Sequence, residues 1–438
     1  MTIRLLHTSD WHLGRSLVSK KRLAEQEAFL HWLLKEIVTR HIDILVVAGD
    51  VFDSSTPGTA AQKVYYSFLR SLLGTACRHV VIIAGNHDSP SFLSAPGAIL
   101  DMLGVHVIGT VSPEGISDAT DAGFPPEVLV LDLPPAGEKA RALVCCAVPY
   151  LRERDIRLAE AGESMQAKDS NALEGIRRHY ARLGVAAQKM RLELGSRTPL
   201  VVTGHLFAAG GKVVEGDGVR ELAVGSLVAV PVDVFPKEAD YVALGHLHAP
   251  QIVAGQEHIR YSGAPLHFGF AETNQEKAVC VVTFTDNTPV IEKVPVPVAQ
   301  RLQAVQGDLP TLRDRLEALV ATGEPVWVEA EYNGCELAGN LEETLHALVK
   351  DSPVELLRVR NTSRAALARS LGENNISLKD MGPKEVFALC LQDSKVPDTQ
   401  WPGLTRLHDL VLAELTEESP EPLPAEPVGA ADTRAGRA

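Results

Sequence analysis

The chain has 438 residues, 45% of them hydrophobic and 22% charged, and a formal net charge of −14. That length exceeds one ordinary core and predicts two domains with appendages, in a composition typical of soluble globular proteins. The acidity argues against loose adhesion to nucleic acid by charge alone; a local basic groove or a metal-assisted contact with phosphate stays open.

No apolar run approaches the roughly 18 residues of a membrane span. Met1-Thr2-Ile3-Arg4 leads straight into a strand without a signal-peptide pattern, so a cytoplasmic protein with no membrane contact is expected. The cysteines, Cys77, Cys145, Cys146, Cys280, Cys335 and Cys390, form no C-x-x-C pair and lie mostly in apolar stretches. Buried free thiols are expected, rather than disulfides or a zinc knuckle.

In chain order, Ile3 to His7 reads as a strand, Arg22 to Arg40 as a helix with one apolar side, and Ile44 to Ala48 as a strand buried on both faces. Thr59 is placed as the cap of a second helix running through Leu72, followed by another buried strand from His79 to Ala84. Strands linked by helices imply right-handed βαβ crossovers. Strands are then predicted at 128–133 and 141–148, a long helix at 171–193, and further strands at 199–203, 240–244, 258–261, 278–284 and 289–294. Helix-linked strands followed by closely spaced ones predict an α/β fold of two sheets packed face to face with helices outside. "VPVPVAQ" at 294–300 marks a boundary. Beyond it come a helix at 312–321, a strand at 326–331, a helix at 341–348 and a strand at 354–359, a small α+β unit. Helices are predicted at 384–392 and 403–418, and a Pro/Ala/Glu-rich disordered tail over 419–438.

The chemistry collects where the buried strands end. The first leads to Ser9-Asp10-Trp11-His12, the second to Gly49-Asp50, and the third to Gly85-Asn86-His87-Asp88. Later strands lead to Gly204-His205 and Gly245-His246-Leu247-His248. Ligands of open α/β sheets bind beyond the carboxyl ends of the strands, so these distant residues are expected to meet. Asp, His and Asn make a mixed oxygen and nitrogen donor set that suits Mn²⁺, Fe²⁺ or Zn²⁺ better than Ca²⁺. The donors are too many for one ion. Two ions about 3.5–4 Å apart, sharing a carboxylate, would use them and would serve phosphoryl transfer.

The ordered motifs "DWH", "GDVFD", "GNHD", "GH" and "GHLH" resemble those of the calcineurin-like metallophosphoesterases. The blocks "LLHTSDWHLGRSL", "LVVAGDVFDSSTPG", "IIAGNHDSP", "GHLFAAGG", "YVALGHLHAPQ" and "YSGAPLHFGFAE" are more closely similar to the SbcD-type DNA-repair exonuclease subunits, over roughly residues 1 to 285. A weaker likeness continues through "PKEVFALCLQ". The resemblance implies a four-layer αββα sandwich. Residues 1–295 would form the dimetal nuclease domain, 300–365 an α+β cap and 380–418 helices that dock an ATPase partner.

It also implies two metal sites, one of Asp10, His12 and His248 and one of Asn86, His205 and His246, with Asp50 bridging and Mn²⁺ as the expected metal. Water between the ions would be the nucleophile. His87 would stabilise the transition state or protonate the leaving oxygen, oriented by Asp88, and Asp53 would support the ligands from behind. The implied activity is exonuclease (3'-5') and endonuclease cleavage of double-stranded DNA ends and hairpins, in repair, recombination and replication. The implied partners are an SbcC-type coiled-coil ATPase and a second nuclease subunit, giving a homodimer within a heterotetramer. One departure stands out: SbcD-like chains often carry a Ser-Glu-Arg run where residues 216–221 here read Gly-Asp-Gly-Val-Arg-Glu.

Each motif alone has an ordinary reading. A Gly-Asp after a strand is commonly a turn, and a His-x-His pair is commonly exposed on a strand. It is their order and their placement at strand ends that favours a site. His7 is read as a satisfied core residue, and His267 as a candidate for the cleft wall. Lys20, Lys21 and Arg22, with Arg152, Arg154 and Arg157, are either solvated helix ends or DNA-phosphate contacts. Leu404, Leu407, Val411 and Leu415 form a stripe that either packs on its own domain or docks a partner helix. Two rival functions stay open: another dimetal phosphoesterase, acting on a phosphoprotein or a cyclic nucleotide, and an inactive scaffold of the same fold.

Overall fold

The computed structural model describes residues 2–111, 124–136, 139–156, 164–195, 197–212, 229–285, 288–334, 340–362, 386–387, 390–391, 396–397 and 400–417. The predicted tail, the 216–221 segment and most of the 384–392 helix lie outside them, as do Cys335 and Arg157.

The strands are β1 (Thr2–Thr8), β2 (Ser16–Leu17), β3 (Lys20–Lys21), β4 (Ile44–Ala48), β5 (His79–Ile83), β6 (Val105–Ile108), β7 (Val128–Ala136), β8 (Lys139–Cys146), β9 (Leu200–His205), β10 (Tyr241–Gly245), β11 (Gln251–Val253), β12 (Gln256–Tyr261), β13 (Ala278–Thr285) and β14 (Thr288–Pro295). One sheet has the order β14-β13-β1-β4-β5-β6 and the other β11-β12-β10-β9-β8-β7. In the first, β1, β4, β5 and β6 run parallel, while β13 and β14 return antiparallel on the other side of β1. In the second, β8, β9, β10 and β12 are parallel.

The layering follows from side-chain alternation along each strand. Ile44, Val46 and Ala48 face the second sheet, where they meet Cys145, Val201, Tyr241 and Ala243 in one buried cluster. Leu45 and Val47 point the other way, onto Phe29, Leu33 and Ile37 of helix α1 (Leu23–Thr39) and Tyr65 and Phe68 of α2 (Thr59–Ser71). On the far side of the second sheet, Val144, Val202 and Val242 pack against Ile176, Tyr180 and Leu183. The result is the expected αββα sandwich. The short helices α3 (Pro90–Ser94), α4 (Gly97–Asp101) and α5 (Glu153–Ile156) precede that last packing helix, α6 (Met165–Leu194). His7 is satisfied within the core, as expected. Its ring meets the Tyr241 hydroxyl at 2.9 Å and the Leu244 carbonyl at 3.2 Å, tying one sheet to the other.

Some local readings are corrected. Thr59 is the first helical residue of α2 and Gly58 holds the cap position, so the helix starts without a side-chain cap. Helix α6 begins near Met165, because the Ser164 hydroxyl accepts from the Ala167 amide at 3.2 Å and caps it earlier than apolar spacing suggests. The short strands β2, β3, β6 and β11 carry too few residues for a periodic signal.

After residue 300, β15 (Arg301–Gly307), β16 (Val326–Tyr332) and β17 (Val354–Asn361) form a three-stranded sheet in that order, accompanied by α7 (Leu309–Thr322), α8 (Leu341–Val349) and, later, α9 (Trp401–Glu417). The chain forms two compact units. One comprises Met1–Ala304, Glu324–Val328 and Pro353–Leu357; the other comprises Val305–Gly323, Glu329–Ser352 and Arg358–Ala438. Among the described residues no helix is long and apolar enough to cross a membrane. Among the described residues, Cys77, Cys145, Cys146, Cys280 and Cys390 form no disulfide.

Candidate metal centre at the strand ends

The ends of β1, β4, β5, β9 and β10 deliver their polar residues to one place. The turn after β1 runs beside the turn after β4: the amides of Asp10 and His12 donate to the carbonyls of Gly49 and Asp50, each at 3.0 Å. Asp10, His12, Asp50 and His246 all have positive φ (53°, 44°, 49° and 103°), a conformation that non-glycine residues adopt at a cost. Such strain concentrated in one cluster marks a site whose geometry the surrounding fold imposes. The glycines allow the crowding: a Cβ on Gly85 would collide with the Asp50 carboxylate, and one on Gly49 with the His205 ring.

Donor atoms converge in three overlapping groups, one of them His12, Asp53 and His87. Asp10, His12 and His248 each offer an atom within 4.8 Å of the others, and so do Asp10, Asp50 and His205. Asp10, assigned to one metal from the motifs, is therefore within reach of both groups. The Asn86 Oδ1 atom lies 3.0 Å from His205 Nε2 and 3.2 Å from His246 Nδ1. One oxygen of Asp50, Oδ2, stands 3.4 Å from His12 Nε2 and 3.4 Å from His205 Nε2. Neighbouring ligand atoms about 2.1 Å from a common cation stand roughly 3 Å apart, so these spacings fit metal coordination.

Hydrogen bonds behind these side chains set which atoms face inward. His205 Nδ1 faces the Ala48 carbonyl at 2.9 Å; as the donor there, it leaves Nε2 to the site. Both ring nitrogens of His12 are buried without a hydrogen bond, and Nδ1 lies 3.2 Å from the Asp53 carboxylate. Burial pushes the Asp10 carboxyl up to about 7, and the Asp50 charge adds to the rise. Burial works to raise Asp50 as well, but the His205, His12 and His87 rings outweigh it and hold that carboxyl below the ordinary range. His205 shows the reverse balance: burial lowers it, and the Asp50 and Asp10 carboxylates lift it to about 9. Burial keeps His12 below the ordinary histidine range, whereas a cation binding at His205 would displace its proton. Two buried carboxylates among inward-facing imidazole nitrogens and an amide oxygen are a donor set for divalent cations.

His87 and Asp53, with Asn86, are the partly exposed members and give the cluster its open side. The His87 amide donates to Asp50 Oδ1 at 2.9 Å, and its ring Nδ1 meets the Asp53 carbonyl at 3.0 Å. The expected orientation of His87 by Asp88 is corrected. The Asp88 carboxylate is turned inward, accepting from the amides of Val51, Phe52 and Gly85 at 3.1, 2.9 and 2.9 Å. It staples two ligand-bearing loops together, and the Asp53 carbonyl holds the His87 ring. Arg22 as a DNA contact is also corrected: it is 3% exposed, ion-paired to Glu25 and donating to the His267 carbonyl. Lys20 pairs with Glu355, and Lys21 is exposed. The His267 ring is engaged by the Gln275 carbonyl at 2.8 Å rather than turned to the cleft.

Motif reading passes over three residues beside the centre. The Ser9 hydroxyl donates to Asp10 Oδ2 at 2.5 Å and meets the Ser262 hydroxyl at 3.0 Å. The Phe268 ring stands edge-on to both His12 and His248, with centroids 5.0 Å away in each case. Ser9 could have been found by its place in "SDWH"; Ser262 and Phe268 carry no signal beyond lying in the block "YSGAPLHFGF".

An αββα sandwich with Asp, His and Asn converging at its strand ends defines a metallophosphoesterase. Residues 3–250 match the family model described as Calcineurin-like phosphoesterase, and the chain belongs to that family. Residues 298–395 match the Type 5 capsule protein repressor C-terminal domain, the model named SbcD_C.

The chain is 35% identical over 419 residues to the SbcD subunit of nuclease SbcCD from Escherichia coli K12, covering 95% of this chain and 99% of that protein. It is 32% identical over 401 residues to the same-named protein of Rhodobacter capsulatus, with 88% and 94% covered. With the Bacillus subtilis counterpart it shares 34% over 282 residues, covering 64% and 66%. The chain is thus an SbcD-like nuclease subunit, a metal-dependent phosphodiesterase.

Proposed function

We propose that this subunit cleaves phosphodiester bonds of double-stranded DNA at ends and hairpins, as a 3'-5' exonuclease and an endonuclease in DNA repair and recombination. Asp10, His12 and His248 would hold one Mn²⁺ and Asn86, His205 and His246 a second, with Asp50 facing both groups. The observation that carries this reading is the position of Asp50 Oδ2, 3.4 Å from a ligand nitrogen of each group. The paired cations supply charge stabilisation of the phosphoester and a lowered pKa for the attacking water. Because His87 Nδ1 faces a carbonyl, its Nε2 is the ring nitrogen left for a phosphate or a leaving oxygen. Asp53 fixes the His12 ring from behind, and Asp88 acts through the backbone of the two loops.

Lys20 and Lys21 are proposed phosphate contacts. Arg152 joins them, since it is half-buried with its guanidinium 3.4 Å from the Asp88 carbonyl, next to His87. The partner is an SbcC-type ATPase docking on α9, where Leu407 and Val411 are 60% and 48% exposed. Ile99 and Met102, 67% and 85% exposed at helix α4, support a contact with a second nuclease subunit. Residues 1–295 then act as the nuclease domain and 300–365 as a cap over the DNA, in the cytoplasm.

The decisive assay uses end-labelled linear and hairpin duplexes with Mn²⁺, Mg²⁺ or chelator, with and without the ATPase subunit. Mn²⁺-dependent shortening is expected. Rapid cyclic-nucleotide turnover with intact DNA would overturn the reading.

A further inference from the structure

Glu272 and Lys277 are 0% and 3% exposed, and they form an ion pair beneath the centre. Neither belongs to the ligand motifs. A buried ion pair is seldom a source of stability, because two apolar residues of similar volume would avoid the desolvation of both charges. What apolar residues could not do is hold polar backbone groups, and this pair holds two.

The Lys277 ammonium donates to Glu272, to Gln275 Oε1 at 3.1 Å and to the backbone carbonyl of His248 at 3.1 Å. These use the three donors of an ammonium group. The other Glu272 oxygen accepts from the Phe268 amide at 3.1 Å. Phe268 in turn sets its ring at 81° to both His12 and His248, while the Arg15 guanidinium covers the ring at 4.5 Å from its centroid. The pair therefore reaches His248 through its carbonyl, and reaches the rings of His12 and His248 through Phe268. The other ligand group is braced differently, with His205 on the Ala48 carbonyl.

We propose that the Glu272–Lys277 pair, acting through Phe268 and the His248 carbonyl, is a positioning clamp for the metal site of Asp10, His12 and His248 alone. The clamp rests on the two-metal reading above. It aligns two imidazoles, leaving Asn86, His205 and His246 to their own supports. Supports behind metal ligands typically change affinity 10- to 100-fold when removed.

The test titrates Mn²⁺ alone into the full-length chain, read by calorimetry, by the electron paramagnetic resonance signal of a coupled Mn²⁺ pair and by thermal melting. The variants are Glu272→Leu with Lys277→Met together, which leaves no lone buried charge, and Phe268→Leu. The double variant leaves the Phe268 amide without its acceptor, so it is expected to fold but to melt somewhat below the wild type. It should bind one ion with unchanged affinity and the other about 10- to 100-fold more weakly, with the coupled signal lost at intermediate Mn²⁺. Phe268→Leu should weaken the same single site and tests the clamp even where the double variant does not fold. Two unaltered sites, or two sites weakened alike, would overturn the clamp. A wild-type chain that takes up no Mn²⁺ would instead overturn the metal-centre reading beneath it.

Discussion

Asp53 Oδ1 stands 3.2 Å from His12 Nδ1, on the side of the ring away from Asp50. A carboxylate there selects the tautomer whose Nε2 is free for a metal, and raises the basicity of that nitrogen. Arg15 shares the same carboxylate oxygen at 3.3 Å and anchors it. Asp53→Ala is expected to weaken one metal site by about 10- to 100-fold and leave the other intact. Calorimetric Mn²⁺ titration checks this; unchanged binding at both sites would remove Asp53 from the centre.

Asp50 behaves differently, because its Oδ2 faces both ligand groups. Asp50→Ala is expected to lose occupancy at both sites, and DNA cleavage with it. Elemental analysis of the purified variant is the measurement. Retention of one full equivalent of metal would refute a shared ligand.

His87 reaches the centre only at its open side, with the ring held by a carbonyl. His87→Ala is expected to retain both ions and to lose about 10²- to 10⁴-fold in cleavage rate, the range for general acid–base or transition-state support. Loss of metal on substitution would make it a ligand instead.

His7 gives a pH prediction separate from the centre. Burial lowers it from 6.5 to about 3, opposed by the hydrogen bond to the Leu244 carbonyl. Below pH 6.5 the unfolded chain takes up a proton that the folded chain refuses until about pH 3. The stability His7 contributes is therefore present above the unfolded value and lost as pH falls through that window. With metal chelated, His7→Gln is expected to be less stable near neutrality, since Tyr241 loses a partner. Its stability should also decline less steeply with acid, by about one proton. Urea midpoints at several pH values decide it; parallel curves for the two proteins would contradict the assignment.

The set of candidate donors is legible in the sequence for a physical reason. A strand buried on both faces must be apolar throughout, so a carboxylate or histidine immediately beyond it is conspicuous, as at Ala48-Gly49-Asp50. The role of Asp88 is not legible, because its partners are the amides of Val51 and Phe52, distant in sequence and adjacent only after β4 and β5 pair. Arg22 resembles its lysine neighbours, yet burial and Glu25 claim it.

Sequence alone determined the two-sheet sandwich, the succession of its main strands and helices, and the identity of the converging donors, because alternation and buried runs are local properties of the chain. Which oxygen of Asp50 faces both ligand groups, which carbonyl holds His87, and that Glu272 and Lys277 lie under His248 were decided only by the tertiary fold. Those relationships join residues from different strands, and hydrogen-bond geometry between them exists only once both sheets have packed.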